Sequence, residues 1–337
     1  MYRPMSELRR NPITGSWVVI APGRSRRPED FAPQPVGALD GDMCPFCEGQ
    51  EAIAGHELLA WRPGGGVANG PGWRVRVVAN REPALRVEGT LGEDRGTLFQ
   101  SWGGLGAHEV VIESADHRAR LATMGEEEVF RLLWAWRERL RDLRRDGRLK
   151  SFIIVKNVGA AAGATLDHPH SQILAMPFPS HSIELETTGA AAYHRRHSRC
   201  VYCDLVTEEI ADGRRVVASD DGALAVAPYA SRVPFEVWVI PRLHTASFDE
   251  ADDDSLRAVA GRLREVMSRL EATLVQPAHT LLLHTTPVGE SHRASYHWHV
   301  EIVPRLTPVS GLAWDGGVAI NPVPPEEAAQ VLRAHGS

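Results

Sequence analysis

Apolar and polar residues follow a strand–helix–strand pattern in the first half of this chain. A run rich in β-branched residues at 109–113 predicts a strand. Apolar residues at helical spacing, among them Val129 and Leu133, predict an amphipathic helix over 125–145. A second β-branched run at 152–155 predicts another strand, so we expect an antiparallel sheet with a long helix packed on it.

The second half of the chain repeats this pattern in the same order. Strands are predicted at 235–241 and 281–283, and the helix between them, over 252–274, begins with an acidic run suited to a helix N-terminus. A self-match of fixed order indicates duplication. We therefore predict an α+β fold of two fused halves, residues 1–180 and 181–337, each an antiparallel sheet with a long packed helix.

Two segments fall outside this repeat. Residues around 177–198 are expected to link the two halves. Residues 309–325 are rich in glycine and proline, which predicts a loop-like tail that could cover a site or a dimer interface. A short helix is expected to follow over 326–334.

Composition and charge exclude several classes of partner. The chain has 43 acidic against 37 basic residues, so no general positive charge would attract nucleic acid or an anionic membrane. The sequence has no apolar run of membrane-spanning length and no signal-peptide core after Met1, and we expect a cytoplasmic protein. That compartment is reducing, so paired cysteines are expected to bind a metal rather than to form disulfides.

The four cysteines form two Cys-x-x-Cys pairs, one in each half. Zinc in a closed structural site takes four ligands at tetrahedral geometry, and such a pair supplies two of them. Histidines at matching offsets can complete each set, which leaves no coordination position open for catalysis. The alternative is two pairs of buried or redox-active thiols. The expected ligand sets are Cys44, Cys47, His117 and His168 in the first half, and Cys200, Cys203, His244 and His297 in the second.

His168 and His170 lie on alternate residues before an apolar, strand-like segment, and in extended backbone such residues share a face. If His168 binds zinc, His170 is free on that face. A neutral imidazole is a competent nucleophile toward phosphorus, since its ordinary pKa is about 6.5. Gln172 shares the face, and Thr165 with the glycine-rich turn at 159–163 offers further hydrogen-bond donors to a phosphoryl group. The alternative is a packed histidine without chemistry.

Positive charge for a phosphate-containing substrate has to be local, and a basic run at 24–28 supplies it. Arg24 and Arg27 lie in this run, and guanidinium groups suit phosphates and stack on bases. The alternative is a solvated basic loop. Nine further histidines occur in polar or loop-like contexts and are expected at the surface: His56, His108, His181, His194, His197, His279, His284, His292 and His335.

Residues 157–172, with their His-Pro-His-Ser-Gln core, resemble the active-site segment of the galactose-1-phosphate uridylyltransferases, a family within the histidine-triad superfamily. Residues 11–20, followed by the basic run at 24–28, resemble the opening of that family. Residues 78–85 resemble its nucleotide-contacting strand end. The first-half cysteines and histidines named above match its zinc ligands.

The resemblance implies two fused histidine-triad halves, a homodimer, and ping-pong transfer of a nucleoside monophosphate through a histidine. On this basis His170 resembles the nucleophile and Gln172 the amide that positions the phosphoryl group. His299 stands at the equivalent place in the second half, where Glu301 replaces the glutamine, and a carboxylate would repel a phosphate. The second half is therefore interpreted as a degenerate, supporting copy. The residues that resemble nucleotide- and phosphate-contacting positions are Arg24, Arg27, Asn80, Asn157, Thr165 and Ser171.

Some residues depart from the uridylyltransferase pattern. Ser171 replaces the usual glycine and resembles the plant-type ADP-glucose phosphorylases, a branch that also carries a second Cys-Cys-His-His zinc site. Residues 321–323 are more similar to that branch, and the Lys-Phe pair that grips the hexose in the better-known uridylyltransferases is not found. These departures bear on the substrate and not on the mechanism.

Three functions therefore stand as hypotheses. The first is transfer of UMP from UDP-glucose to galactose 1-phosphate or a related sugar phosphate. The second is transfer of AMP from ADP-glucose to inorganic phosphate, with hydrolysis as a variant in which water is the acceptor. The third is a non-catalytic, zinc-stabilised nucleotide-binding module. A nucleic-acid-binding zinc protein is disfavoured, because no basic face follows either cysteine pair.

Overall fold

The computed structural model describes residues 7–15, 17–20, 44–91, 103–289, 291–307 and 317–335. The strands of the first half are β3 (Glu57–Trp61), β4 (Val75–Ala79), β5 (Ala107–Ile112), β6 (Ser151–Val158) and β7 (His170–Met176). Those of the second half are β8 (Val216–Ser219), β9 (Ala223–Val226), β10 (Val237–Pro241), β11 (His279–His284) and β12 (His299–Pro304). A small separate sheet contains β1 (Glu7–Arg10), β2 (Trp17–Ile20) and β13 (Ala319–Asn321).

The helices connect these strands and cover the sheet. Two short 3₁₀ turns, Ala160–Ala162 and Phe248–Glu250, accompany them. In the part of the chain that the structure describes, no helix is long and apolar enough to cross a bilayer. The helices are α1 (Glu51–Ala54), α2 (Glu126–Leu143), α3 (His181–His197), α4 (Val201–Asp212), α5 (Asp253–Leu274) and α6 (Pro325–Ala334).

The main sheet has ten strands in the order β3-β4-β5-β7-β6-β11-β12-β10-β9-β8, and every neighbouring pair is antiparallel. Read from its outer edge, the first half has the order β3-β4-β5-β7-β6 and the second has β8-β9-β10-β12-β11. Each long helix, α2 or α5, connects the third strand in chain order to the fourth. The predicted α+β class is confirmed, and both halves have the same strand order.

One feature of the sheet is absent from the sequence prediction. The halves join edge to edge through β6 and β11, with Ile154 opposite Leu283 and Val155 opposite Leu282. Helix α2 also packs against α5, and buried apolar residues of both halves form one cluster that includes Trp136, Leu263, and the strands beneath them. The two halves therefore share a single sheet and a single main core.

Local interactions explain where the two long helices begin. The Gly125 N–H donates to the Glu128 carboxylate at 2.7 Å, and three glutamates occupy the first turn of α2, where negative charge favours the helix dipole. Asp252 caps α5 by accepting the Ser255 N–H at 2.8 Å. Arg139 of α2 forms a two-pronged pair with Glu109 of β5 at 2.7 and 2.8 Å, which ties the helix to the sheet.

Both segments outside the repeat are partly structured. The link between the halves is helix α3, and Glu186 on this helix reaches the buried interior of the second half. In the tail, β13 pairs in parallel with β2, while residues 308–316 lie outside the described residues. The division of the chain at residues 180 and 181 stays a prediction.

Candidate active site and metal-ligand clusters

The first cysteine pair lies beside the two histidines expected to complete it. The ligand atoms of Cys44, Cys47, His117 and His168 all lie within 4.8 Å of one another. Cys47 Sγ is 3.3 Å from His117 Nδ1 and 3.6 Å from His168 Nδ1. This composition and compactness fit a tetrahedral metal ion, so the cluster could hold one.

Hydrogen bonding prepares the His168 ring for such a role. Its Nε2–H donates to the Ser114 carbonyl at 2.8 Å, which leaves Nδ1 as the lone-pair nitrogen facing the cysteines. Burial lowers the pKa of His168 to about 4, against the opposing effect of that carbonyl. The ring is therefore neutral at ordinary pH, which is the state that a metal requires.

The second half contains a matching cluster. The ligand atoms of Cys200, Cys203, His244 and His297 also lie within 4.8 Å of one another, with Cys203 Sγ 3.3 Å from His244 Nδ1. The His244 Nε2–H donates to the Arg293 carbonyl at 2.9 Å, the same arrangement as at His168. Hydrogen bonds from Cys203 and both histidines lower the pKa of the Cys200 thiol, which favours the thiolate that binds metals.

His170 begins strand β7, and its ring orientation is determined by the backbone. Its Nδ1–H donates to the His168 carbonyl at 2.8 Å, so the lone pair lies on Nε2. Burial lowers the pKa of His170, although the bond to the carbonyl opposes this. The Phe46 ring packs at 5.3 Å between ring centroids. The result is a neutral imidazole with one fixed tautomer and an available nitrogen.

A cavity of about 540 Å³ lies beside this imidazole. It brings together four residues singled out in the sequence: Asn80, Thr165, His170 and Gln172. Apolar side chains cover part of its wall, and Arg81 and Glu82 contribute charged groups. Its size and mixed lining suit a small phosphorylated ligand with a base or sugar attached.

Other predicted contact residues are placed differently. The Ser171 side chain is fully buried on the opposite face of β7, where its Oγ accepts the Trp136 Nε1–H at 2.9 Å. The prediction that Ser171 contacts substrate is wrong for its side chain, because strand alternation directs it into the core. Asn157 lies on β6 opposite Thr280, outside the described lining of the cavity. Arg24 and Arg27 lie outside the described residues.

Five histidines expected at the surface are not exposed, and for them the prediction is wrong. His194 and His292 are half-buried. His108 is half-buried on β5 and contacts Gln172, while His279 and His284 are buried on β11. The predicted strand covers only residues 281–283, whereas β11 extends over His279–His284. Both terminal histidines were therefore expected in loops. The β-branched Thr280, directly before the leucine run, could have indicated a longer strand.

A third group of possible metal ligands was not found from the sequence. The ligand atoms of Glu186, His284, His299 and Glu301 lie within 4.8 Å of one another, and all four residues are buried. Each carboxylate of the group also has a basic partner within hydrogen-bond distance. His284 Nδ1 lies 2.8 Å from Glu186, and the Arg232 guanidinium lies 2.5 Å from Glu301. The group could hold a metal ion or a bound proton.

His299 belongs to this group rather than to a cavity. Its Nδ1–H donates to the His297 carbonyl at 3.1 Å, as His170 does to His168. Its ring, however, is fully buried between Tyr202 and Trp238, whose ring centroids lie 5.1 and 5.2 Å away. The second half thus repeats the backbone arrangement and encloses the histidine.

The fold and the two clusters define a class: a duplicated α+β protein with two sets of metal ligands and a cavity histidine suited to phosphoryl chemistry. The chain belongs to the galactose-1-phosphate uridylyltransferase family, since the family model of the N-terminal domain matches residues 2–179 and that of the C-terminal domain matches residues 186–307. It is accordingly an enzyme of the nucleotidyltransferase class.

Individual relatives resemble the chain over nearly its whole length. An ADP-glucose phosphorylase of Arabidopsis thaliana is 31% identical over 97% of this chain and 92% of its own. A galactose-1-phosphate uridylyltransferase of Thermotoga maritima is 28% identical, with 98% of each chain covered. The crystal structure of the Arabidopsis ADP-glucose phosphorylase with bound ADP-glucose superimposes with a TM-score of 0.83, at 31% identity, over 98% of each chain.

Proposed function

We propose that this enzyme transfers a nucleoside monophosphate from a nucleotide sugar to a phosphate-bearing acceptor through a covalent bond to His170. In the first step, His170 Nε2 attacks the α-phosphorus, an N–P bond forms, and the P–O bond to the sugar phosphate breaks. The sugar 1-phosphate leaves with the electron pair. In the second step, a phosphate oxygen of the acceptor attacks phosphorus and the N–P bond breaks.

The observation that carries this proposal is the fixed tautomer of His170 at the cavity. Attack through Nε2 places positive charge on the ring, and the His168 carbonyl that accepts the Nδ1–H at 2.8 Å stabilises this charge. Gln172 lines the same cavity and can donate its amide hydrogens to a phosphoryl oxygen. His299 has the same hydrogen bond but is enclosed, so what distinguishes His170 is that its held nitrogen lies at a cavity.

For the two Cys-Cys-His-His clusters we propose zinc. When bound, zinc would stabilise the fold by linking the cysteine turn to the histidine-bearing strand. With four protein ligands in each set, neither site offers a position to substrate. His168 would then anchor the segment that orients His170.

Two donor–acceptor pairs are supported. Uridylyl transfer from UDP-glucose to galactose 1-phosphate is our first candidate, since both family models bear that name and the Thermotoga relative shares it. Adenylyl transfer from ADP-glucose to inorganic phosphate is the second, supported by the 31% identity to the Arabidopsis phosphorylase. We also propose a homodimer, as the family resemblance implies, and a cytoplasmic location, as expected from the sequence.

Intact-protein mass spectrometry tests the proposal directly. The protein is incubated briefly with UDP-glucose or with ADP-glucose, without acceptor, as wild type, as His170→Gly, and as the control His335→Gly at an exposed position. We expect an adduct of one nucleoside monophosphate on wild type and control and none on His170→Gly, which should keep its fold and metal content.

The mass of the adduct decides between the candidates. A UMP-sized adduct would support uridylyl transfer, and an AMP-sized adduct would support adenylyl transfer. Turnover by His170→Gly at the wild-type rate would refute the covalent mechanism.

A further inference from the structure

We propose that His108 is a positioning residue that fixes the orientation of the Gln172 side-chain amide toward the phosphoryl group. This inference rests on the proposed function, because it assigns the amide a task in nucleotide transfer. It concerns a residue that sequence patterns place at the surface, and it follows from hydrogen bonds to both nitrogens of one imidazole.

Strand pairing brings the two side chains together. Gln172 of β7 is directly opposite Val110 of β5, and His108 lies two residues before Val110 on the same face. His108 is thus a diagonal neighbour of Gln172, close enough for a long side chain to reach. Its Nε2 lies 2.7 Å from Gln172 Oε1, a short hydrogen bond.

A backbone amide decides which ring nitrogen carries the hydrogen. The Ala84 N–H points at His108 Nδ1 at 3.1 Å, so Nδ1 must be an acceptor. An imidazole has at least one N–H, and with Nδ1 accepting, that hydrogen resides on Nε2. The Nε2–H therefore donates to Gln172, and the atom of the amide that faces it must be the oxygen.

Asn80 offers no competing acceptor for this hydrogen. Its Oδ1 accepts the Glu82 N–H at 2.9 Å, so the atom it presents to His108, 3.1 Å from Nε2, is the amide nitrogen. An amide nitrogen does not accept hydrogen bonds, so this contact brings two donors together and is not a hydrogen bond. Gln172 Oε1 is then the acceptor of the ring hydrogen. The Asn80 backbone N–H also donates to the His108 carbonyl at 3.0 Å, which holds the two residues in register.

The two linked hydrogen bonds, from Ala84 to His108 and from His108 to Gln172, have a chemical consequence at the cavity. With its oxygen held by His108, the Gln172 amide can direct only its N–H groups toward a phosphoryl oxygen. The flipped amide would present a carbonyl oxygen, which repels negative charge. Fixing the amide in advance removes the cost of orienting a donor as charge develops in the transition state.

Three substitutions of His108 distinguish a positioning role from a packing role. His108→Leu keeps an apolar side chain and removes the donor. His108→Gln can place an amide N–H near the position of the imidazole Nε2–H, whereas His108→Asn, one methylene shorter, reaches only the position of Nδ1. The measurement is the single-turnover rate of adduct formation on His170 with the nucleotide sugar that labels wild type.

We expect His108→Leu and His108→Asn to slow adduct formation by up to roughly 10²-fold, the usual effect of losing one such hydrogen-bond donor. His108→Gln should recover most of the rate. The concentration of nucleotide sugar at half-maximal rate should change little, because the effect lies in the chemical step. Equal slowing by all three variants would indicate a packing role and overturn the proposal.

A double-mutant cycle provides the second criterion. If His108 acts through Gln172, His108→Leu should have no further effect on the rate in a Gln172→Ala background. Additive losses would overturn the proposal.

The tautomer can be measured without catalysis. Spectra of ¹⁵N-histidine-labelled protein, assigned by comparison with His108→Leu, should show His108 with hydrogen on Nε2 and an accepting Nδ1. Hydrogen on Nδ1 would refute the assignment even in an active enzyme. An Nε2–H tautomer in a protein that forms no adduct would indicate that the proposed function, and not the hydrogen-bond chain, has failed.

Discussion

At the scale of single residues, two histidines with different surroundings form the same hydrogen bond to a backbone carbonyl. His170 and His299 each donate Nδ1–H to the carbonyl two residues earlier, at 2.8 and 3.1 Å. His170 faces a cavity, whereas His299 is enclosed with two carboxylates and His284. The chemistry open to each ring therefore depends on what surrounds its Nε2, and this differs between the halves.

The charges around His284 predict how stability responds to pH. Burial by itself would lower the pKa of His284, but the charges of Glu186 and Glu301 raise it to about 9. Since the ordinary value is 6.5, protonated His284 stabilises the folded state fully below that pH, and the stabilisation is lost as pH rises through about 9. The loss is on the order of 3 kcal/mol, from 1.36 kcal/mol per unit.

Thermal unfolding of wild type and His284→Gln across this pH range checks the expectation. The wild-type melting temperature should fall between pH 6.5 and about 9. The variant should start lower and change less, because glutamine does not titrate. Parallel curves for the two proteins would show that His284 carries no proton in the folded state.

At the scale of elements, one face of strand β7 lines the cavity and the other packs in the core. His170 and Gln172 face the cavity, and Ser171 between them accepts the Trp136 Nε1–H in the core. The strand that carries the proposed nucleophile is thereby attached to helix α2 by a buried hydrogen bond. This attachment should be visible in stability rather than in chemistry.

The cost of removing the Ser171 hydroxyl should depend on whether its donor, Trp136, is present. Ser171→Ala leaves the Trp136 N–H buried without an acceptor, which costs about 1–3 kcal/mol. Trp136→Phe removes the donor and some packing volume. In the double variant, the Ser171→Ala step should be nearly neutral, as measured by urea unfolding. A full, additive cost for that step would show that the bond contributes nothing.

At the scale of the whole molecule, the halves share a sheet and a core, so damage to one should affect both. Cys44→Ser opens the first cluster and should release one of the two metal ions expected per chain. Because β6 pairs with β11 and α2 packs on α5, we expect the loss of stability to extend into the second half.

Hydrogen-exchange mass spectrometry can follow both halves at once. In Cys44→Ser, peptides from β4 and from β10 should lose protection together, and the mirror variant Cys200→Ser should show the same pattern. Protection lost only around β4 would mean that the halves unfold independently. Unchanged metal content in Cys44→Ser would mean that the ligand set is wrong.

Much of this organisation follows from local sequence pattern. Helical spacing located α2 and α5 within two residues of their ends, because apolar stripes and acidic caps act along one element. The ligand sets could be grouped from offsets, since the duplication places each histidine at the same step of the same motif. The shared face of His170 and Gln172 likewise follows from the geometry of an extended strand.

Tertiary structure alone decided the remaining features. The joining of the halves through β6 and β11, the enclosure of His299, and the contact of His108 with Gln172 all involve residues far apart in sequence. Which strands are neighbours depends on the packing of whole elements, and a residue's partners across a sheet depend on that choice. For this reason the sequence indicates which histidine is chemically suited to attack, while the folded sheet determines which groups orient the amide beside it.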